Sequence, residues 1–127
     1  MKVLIVEDDS LMAQLYGHLF KLENFEIAVA SNGQEALDNV RSAQQLPNLI
    51  LLDVMMPKMD GFKFLEELNK DERLKGISTI VLTNMYDDEA RAKAKSLGAK
   101  DFFIKSEQNP KVLIEKIKKH LKIPNTP

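Results

Sequence analysis

The sequence predicts an α/β domain: a doubly wound, five-stranded parallel sheet with helices on both faces. Three observations carry that expectation. Short apolar runs alternate with segments of helical periodicity along the chain. Most of the runs are continuously apolar, as strands buried on both faces are. The length, 127 residues, fits one domain, with no Gly/Ser linker, repeat or low-complexity tract to divide it.

The elements follow in order. Residues 2–7 form a β-branched apolar strand, and Met12, Leu15, Leu19 and Leu22 then recur at helical spacing as one stripe. Residues 25–30 are a second strand with Phe25, Ile27 and Val29 on one face. Asn32 reads as an N-cap with Glu35 reaching back, and Ala36, Leu37, Val40 and Ala43 face inward. Residues 49–52 are a third strand ending at Asp53, and Phe64, Leu65 and Leu68 mark a third helix. After the run at 77–83, Asp87, Asp88 and Glu89 open a helix whose later turns carry Arg91, Lys93 and Lys95, the order the helix dipole favours; Gly98 closes it. Residues 101–105 are the fifth strand. Asn109-Pro110 then starts a helix with the stripe Leu113, Ile114, Ile117 and Leu121. The domain is expected over residues 1–122, with 123–127 as a frayed tail or the start of a linker.

Composition removes several classes of function. No Cys is present, which excludes disulfides, thiolate metal sites and thiol catalysis, and the two isolated His residues argue against a His-rich metal centre. A net charge of −1 gives no gross attraction to nucleic acid. The apolar start is broken by Glu7-Asp8-Asp9, too soon for a signal peptide or a membrane span, so a cytoplasmic location is expected. Carboxylates, hydroxyls, Lys and hard cations are what remain.

Position then narrows the chemistry. Every apolar run except the second ends in a polar residue: Glu7-Asp8-Asp9, Asp53, Thr83 and Lys105. In a parallel sheet these ends share one edge, where such folds place their sites. Converging carboxylates repel unless compensated, and Mg2+ suits an all-oxygen site beside a phosphoryl group. Asp53, on the central strand, reads as the nucleophile; Lys105 and Thr83 would contact a bound phosphoryl oxygen. Asp9 is more simply an N-cap. Met55, Met56 and Met59 read as loop and gap-filling residues, and His18 and His120 as solvent-facing side chains without partners. Lys111, Lys116, Lys118, Lys119 and Lys122 read as the wet face of the last helix, with docking of an acidic partner as the alternative.

The set Val6-Glu7-Asp8-Asp9-Ser10, Asp53-Val54-Met55-Met56-Pro57-Lys58-Met59-Asp60-Gly61, Val81-Leu82-Thr83 and Lys105 resembles the signature of two-component response-regulator receiver domains, the CheY-like family, over nearly the whole chain. The resemblance implies a flavodoxin-like strand order, 2-1-3-4-5. It implies that Asp53 accepts phosphate from a sensor histidine kinase or a phosphotransfer protein. It also implies that Asp8, Asp53 and the backbone carbonyl of Met55 bind Mg2+, with Glu7 acting through water. Thr83 and Phe102 match the switch pair whose movement remodels the surface of helix 4, strand 5 and helix 5 for a downstream protein target. On that reading the domain binds no nucleic acid directly and does not engage a membrane; a homodimer is left open.

The sequence departs from that pattern in two places. Ser106 follows Lys105 where the family usually has a Pro with a cis bond, so the loop is either strained or differently routed. Met55 and Met85 stand two residues after Asp53 and Thr83, positions that flank the hydrolytic water in the family. Neither can orient it, and slow autodephosphorylation follows. Four alternatives compete: a flavodoxin-like electron carrier, a phosphatase with an aspartyl nucleophile, a receiver used only as a scaffold, and a receiver that is part of a larger regulator or hybrid kinase. The acids after strand one would repel a flavin phosphate, and Met55 occupies the place of the phosphatase's general acid.

Overall fold

The computed structural model describes residues 1–55, 59–84 and 87–121. The strands are β1 (Lys2–Val6), β2 (Glu26–Ala30), β3 (Leu49–Leu52), β4 (Ser78–Thr83) and β5 (Asp101–Ile104). Between and after them run α1 (Ser10–Leu22), α2 (Gly33–Ser42), α3 (Gly61–Lys70), α4 (Asp88–Ser96) and α5 (Pro110–His120). The sheet is parallel throughout, in the order β2-β1-β3-β4-β5. The alternation of periods therefore reads correctly as a doubly wound sheet.

Because side chains alternate across a strand, the central strands feed two cores. Leu4, Val6, Ile50, Leu52 and Val81 pack on one face with residues of α2, α3 and α4. Val3, Ile5, Leu49, Leu51, Ile80 and Leu82 pack on the other with α1 and α5. The predicted caps hold. Asp9 Oδ1 accepts from the N–H groups of Leu11 and Met12 at 3.0 and 3.3 Å. Asn32, Asp87 and Asn109 cap α2, α4 and α5 in the same way. Gly98 follows the end of α4 with φ +96°, a left-handed value that only Gly adopts without strain. Glu35 does reach back, but to the hydroxyl of Ser31 at 2.7 Å.

Four expectations are corrected. On α1 the buried face is Ala13, Tyr16, Gly17 and Phe20, about one residue round from the predicted stripe. Leu15 and Leu22 are exposed, as is Leu11, because the sheet admits two small residues and two aromatic rings where Leu was expected. At the edge strand β2, Phe25 just before the strand is buried but Val29 within it is exposed. Lys118 is buried, its ammonium 3.0 Å from Glu23 at the end of α1 and 3.7 Å from Glu115. His120 has a partner, Asp101, at 2.9 Å. Among the described residues no helix is long and apolar enough to cross a membrane. The proposed tail, Lys122, Met56-Pro57-Lys58 and Met85 lie outside the described residues.

Candidate functional site

The sheet ladder itself delivers the two central acids. Asp53 donates its backbone N–H to Val6 O at 3.0 Å, and Glu7 donates its own to Ala30 O at 3.0 Å, each one residue beyond its strand. The strand ends of β1 and β3 thus carry Glu7, Asp8 and Asp53 to one place. An oxygen from each of the three lies within 4.8 Å of the others. Glu7 and Asp53 are buried, at 5% and 6% exposure, and Asp8 is open to solvent.

Lys105 joins them from the end of β5. Its ammonium lies 2.9 Å from Asp53 Oδ2 and also pairs with Glu7 Oε1. The remaining carboxylate oxygens are used by backbone: Glu7 Oε2 accepts from Asp9 N at 3.1 Å, and Asp53 Oδ1 from Met55 N at 3.0 Å. Burial pushes the Glu7 carboxyl up to about 7, against the opposing pull of Lys105 and of the Asp9 N–H, and the nearby Asp53 charge adds to the rise. Burial alone would lower Lys105, but its bonds to Glu7 and Asp53 outweigh that and hold it above the ordinary lysine range. Beneath the site Tyr16 is buried, and burial raises its phenol.

The loop after Lys105 takes the second of the two routes expected of it. No cis peptide bond occurs among the described residues, and the chain turns through a short 3₁₀ segment, Lys105–Glu107. Ser106, unlike Pro, has an N–H, which donates to Asn84 Oδ1 at 3.0 Å. Asn84 follows Thr83, so this bond ties the loop after β4 to the loop after β5. The sequence signal was present in the Ser that replaces Pro, but its partner was not legible.

Gly61 sets the other wall. A Cβ there would stand 2.6 Å from Val54 Cα and 2.8 Å from the carbonyl oxygen of Asp53. Glycine is therefore what lets the start of α3 press against the backbone that carries Asp53. Thr83 is fully buried at the end of β4 and in register with Ile104, which places it beside the strand that leads to Lys105. Phe102 is buried on β5, and the Arg91 guanidinium lies 5.1 Å from its ring centroid. Met55 is exposed at the rim. Asp9 serves as the α1 cap, as its simpler reading held.

Structure thus unites Glu7, Asp8, Asp53 and Lys105, places Thr83 on the neighbouring strand end, and sets Phe102 three residues before Lys105. A cavity of about 450 Å³ opens beside the acids, lined by Ala13, Gly17, Ile27 and Val29 as well as Glu7 and Asp8. The acids therefore line only one end of the opening. The three-acid set fits a hard divalent cation: all donors are oxygens, one is solvent-facing, and the surplus negative charge calls for compensation.

The family model described as "Response regulator receiver domain" matches residues 3–118. The chain is 37% identical over 117 residues to the transcriptional regulatory protein CpxR homolog of Haemophilus influenzae, covering 92% of this chain and 48% of that protein. It is 32% identical to hybrid signal transduction histidine kinase B of Dictyostelium discoideum, covering 94% of this chain and 7% of that one. The chain thus spans about half the length of the first relative and a small part of the second. Among solved structures it is similar to a response regulator receiver domain protein (CheY-like) of Methanospirillum hungatei JF-1: TM-score 0.85, 29% identity, 95% and 93% of the two chains. With the strand order, the acid cluster and the bridging lysine in the same chain, the protein belongs to the response regulator receiver domains of two-component signal transduction.

Proposed function

We propose that this receiver is a phosphoacceptor, with Asp53 taking a phosphoryl group from a sensor histidine kinase or a phosphotransfer protein. The observation that supports it best is the bridge from Lys105 to both Asp53 and Glu7, with Asp8 open beside them. An Asp53 oxygen attacks phosphorus, the bond from phosphorus to the donor breaks, and the donor departs with that electron pair. Asp8 and Asp53, the Met55 backbone carbonyl and, through water, Glu7 would hold Mg2+, which when bound neutralises charge on the transferring group. Lys105 turns from the free Asp53 carboxylate to a phosphoryl oxygen, and the Thr83 hydroxyl donates to another.

Thr83 and Phe102 form the switch pair, and the surface of α4, β5 and α5 is the output, read by a downstream protein. The receiver acts in the cytoplasm and touches neither membrane nor nucleic acid directly. It is a signalling domain whose only turnover is its own phosphorylation and slow loss of phosphate. The test is intact mass after incubation with Mg2+ and acetyl phosphate: the wild type gains one phosphate and Asp53→Asn gains none. No adduct with any donor would overturn the proposal. With Met55 beside the acceptor, the phosphoryl half-life is expected to be minutes or longer; a half-life of seconds would refute that part. The share of the Haemophilus relative that is covered favours a second reading of context, a receiver within a larger regulator.

A further inference from the structure

The ladder between β4 and β5 ends with Thr83 opposite Ile104. Asn84 and Lys105 are the next residues along the chain, so the loops that follow Thr83 and Ile104 leave the sheet side by side. The bond from Ser106 N–H to Asn84 Oδ1, at 3.0 Å, carries the pairing past the strand ends. Its donor stands one residue after Lys105 and its acceptor one residue after Thr83.

Lys105 depends on outside support more than the acids do. The backbone of Asp53 and of Glu7 is held by ladder bonds, to Val6 O and Ala30 O. The Lys105 ammonium reaches Asp53, at 2.9 Å, and Glu7 from the end of a flexible four-carbon stem. That stem is rooted in a 3₁₀ turn of three residues, closed by Gln108 N–H to Lys105 O at 3.2 Å. A turn so short, with the poorer bond geometry of its class, holds itself weakly. Asn84 supplies an anchor from the neighbouring loop. Both Asn84 and Ser106 are exposed, so their bond adds geometry to the site and no apolar packing.

We infer that Asn84 is a positioning residue. Its carboxamide oxygen, through the Ser106 N–H, holds the loop of Lys105 so that the ammonium stands ready for Asp53 and then for a phosphoryl oxygen. The effect on transfer rests on the phosphoacceptor reading; the hold on Lys105 stands without it. The donor is a main-chain group, so the Ser106 hydroxyl has no part in the latch. The acceptor is what matters at residue 84, not the bulk of the side chain.

The experiment compares the isotope-labelled full chain with Asn84→Leu, which keeps nearly the same bulk and loses the acceptor. In that variant the Ser106 amide should exchange faster with solvent, and the Lys105 ammonium signal should shift and weaken. Phosphate uptake from acetyl phosphate with Mg2+ should slow about tenfold, within the roughly 10²-fold that a misplacement of about 1 Å can cost. Ser106→Ala keeps the N–H and should match the wild type in all three readouts. Ser106→Pro removes the N–H, so adding Asn84→Leu to it should slow uptake no further, the non-additivity expected of two partners in one bond. If Ser106→Pro does not fold by circular dichroism, Asn84→Ala replaces it: it lacks the acceptor too and should slow uptake as much as Asn84→Leu, although it is smaller. Four results would overturn the inference: Lys105 and Ser106 signals unmoved in Asn84→Leu, the same slowing by Asn84→Leu with and without Ser106→Pro, slowing in Asn84→Ala but not in Asn84→Leu, or a loss in Ser106→Ala equal to that in Asn84→Leu. A wild type that takes phosphate from no donor sinks the phosphoacceptor reading, and the latch is then decided by the Lys105 and Ser106 signals. Normal uptake with those signals unmoved in Asn84→Leu sinks the latch alone.

Discussion

Two charged regions of this domain are built on opposite rules. At the carboxyl edge of β1, β3 and β5, Glu7, Asp53 and Lys105 are nearly or partly buried, and each has at least two polar partners. Along α4 and β5, Arg91, Lys95 and Lys100 are exposed and meet no carboxylate. A buried charge that is paired is costly to disturb, whereas an exposed unpaired one contributes almost nothing to folding. The first region fixes geometry; the second leaves its attraction available to another molecule.

Three measurements break or sharpen this contrast. The largest effect should come from Lys105→Met, which leaves Glu7 and Asp53 facing each other without a cation. Stability should drop by roughly 3 kcal/mol in urea unfolding, the scale for breaking a buried ion pair, and phosphate uptake should slow. A loss within the scatter of surface variants would show that the bridge is not structural.

The next effect is a dependence on pH. Burial raises Glu7 to about 7, above the ordinary 4.5, so the metal-free folded protein holds a proton that the unfolded chain has released. That stabilisation is complete below pH 4.5 and is lost as pH rises through 7. The urea midpoint of the metal-free protein should fall across that window, and Glu7→Gln should flatten the fall. Mg2+ competes with the proton, so the stabilisation gained from the ion should grow from pH 5.5 to 8. A gain that does not change with pH would mean that Glu7 takes no part in the site.

The smallest effect belongs to the other region. Lys95→Ala should change stability by less than about 0.5 kcal/mol, as surface substitutions away from structural features do. A clear loss of stability would show that this lysine has structural work and is not held free.

Most of the fold and the acid site could be read from the order of residue types. The strands are short apolar runs, their polar ends fall on one edge by topology, and the caps are Asp9, Asn32, Asp87 and Asn109 as local chemistry requires. What escaped depends on partners distant in sequence. The α1 face was misjudged because hydrophobicity ranks Leu15 and Leu22 above Ala13 and Gly17, whereas close packing on the sheet selects for size. Lys118 reads as surface until Glu23, 95 residues earlier, is placed beside it. The lysines of α4 and α5 are plain in the sequence, but which of them go unpaired is a fact of three dimensions. Asn84 was silent for the same reason: its acceptor gains meaning only once Ser106 is brought 3.0 Å away.

The backbone bonds of Asp53 to Val6 and of Glu7 to Ala30 extend the sheet into the acid cluster. Carboxylates delivered by a ladder have little conformational entropy left to lose when a new group arrives. Their atoms stand in position before any donor approaches, so little free energy goes into arranging them. The stiffness also gives a direction to mechanical response. A group added at Asp53 meets a rigid floor, and the displacement it causes must be taken up by the segments beyond the strand ends, outward from the sheet.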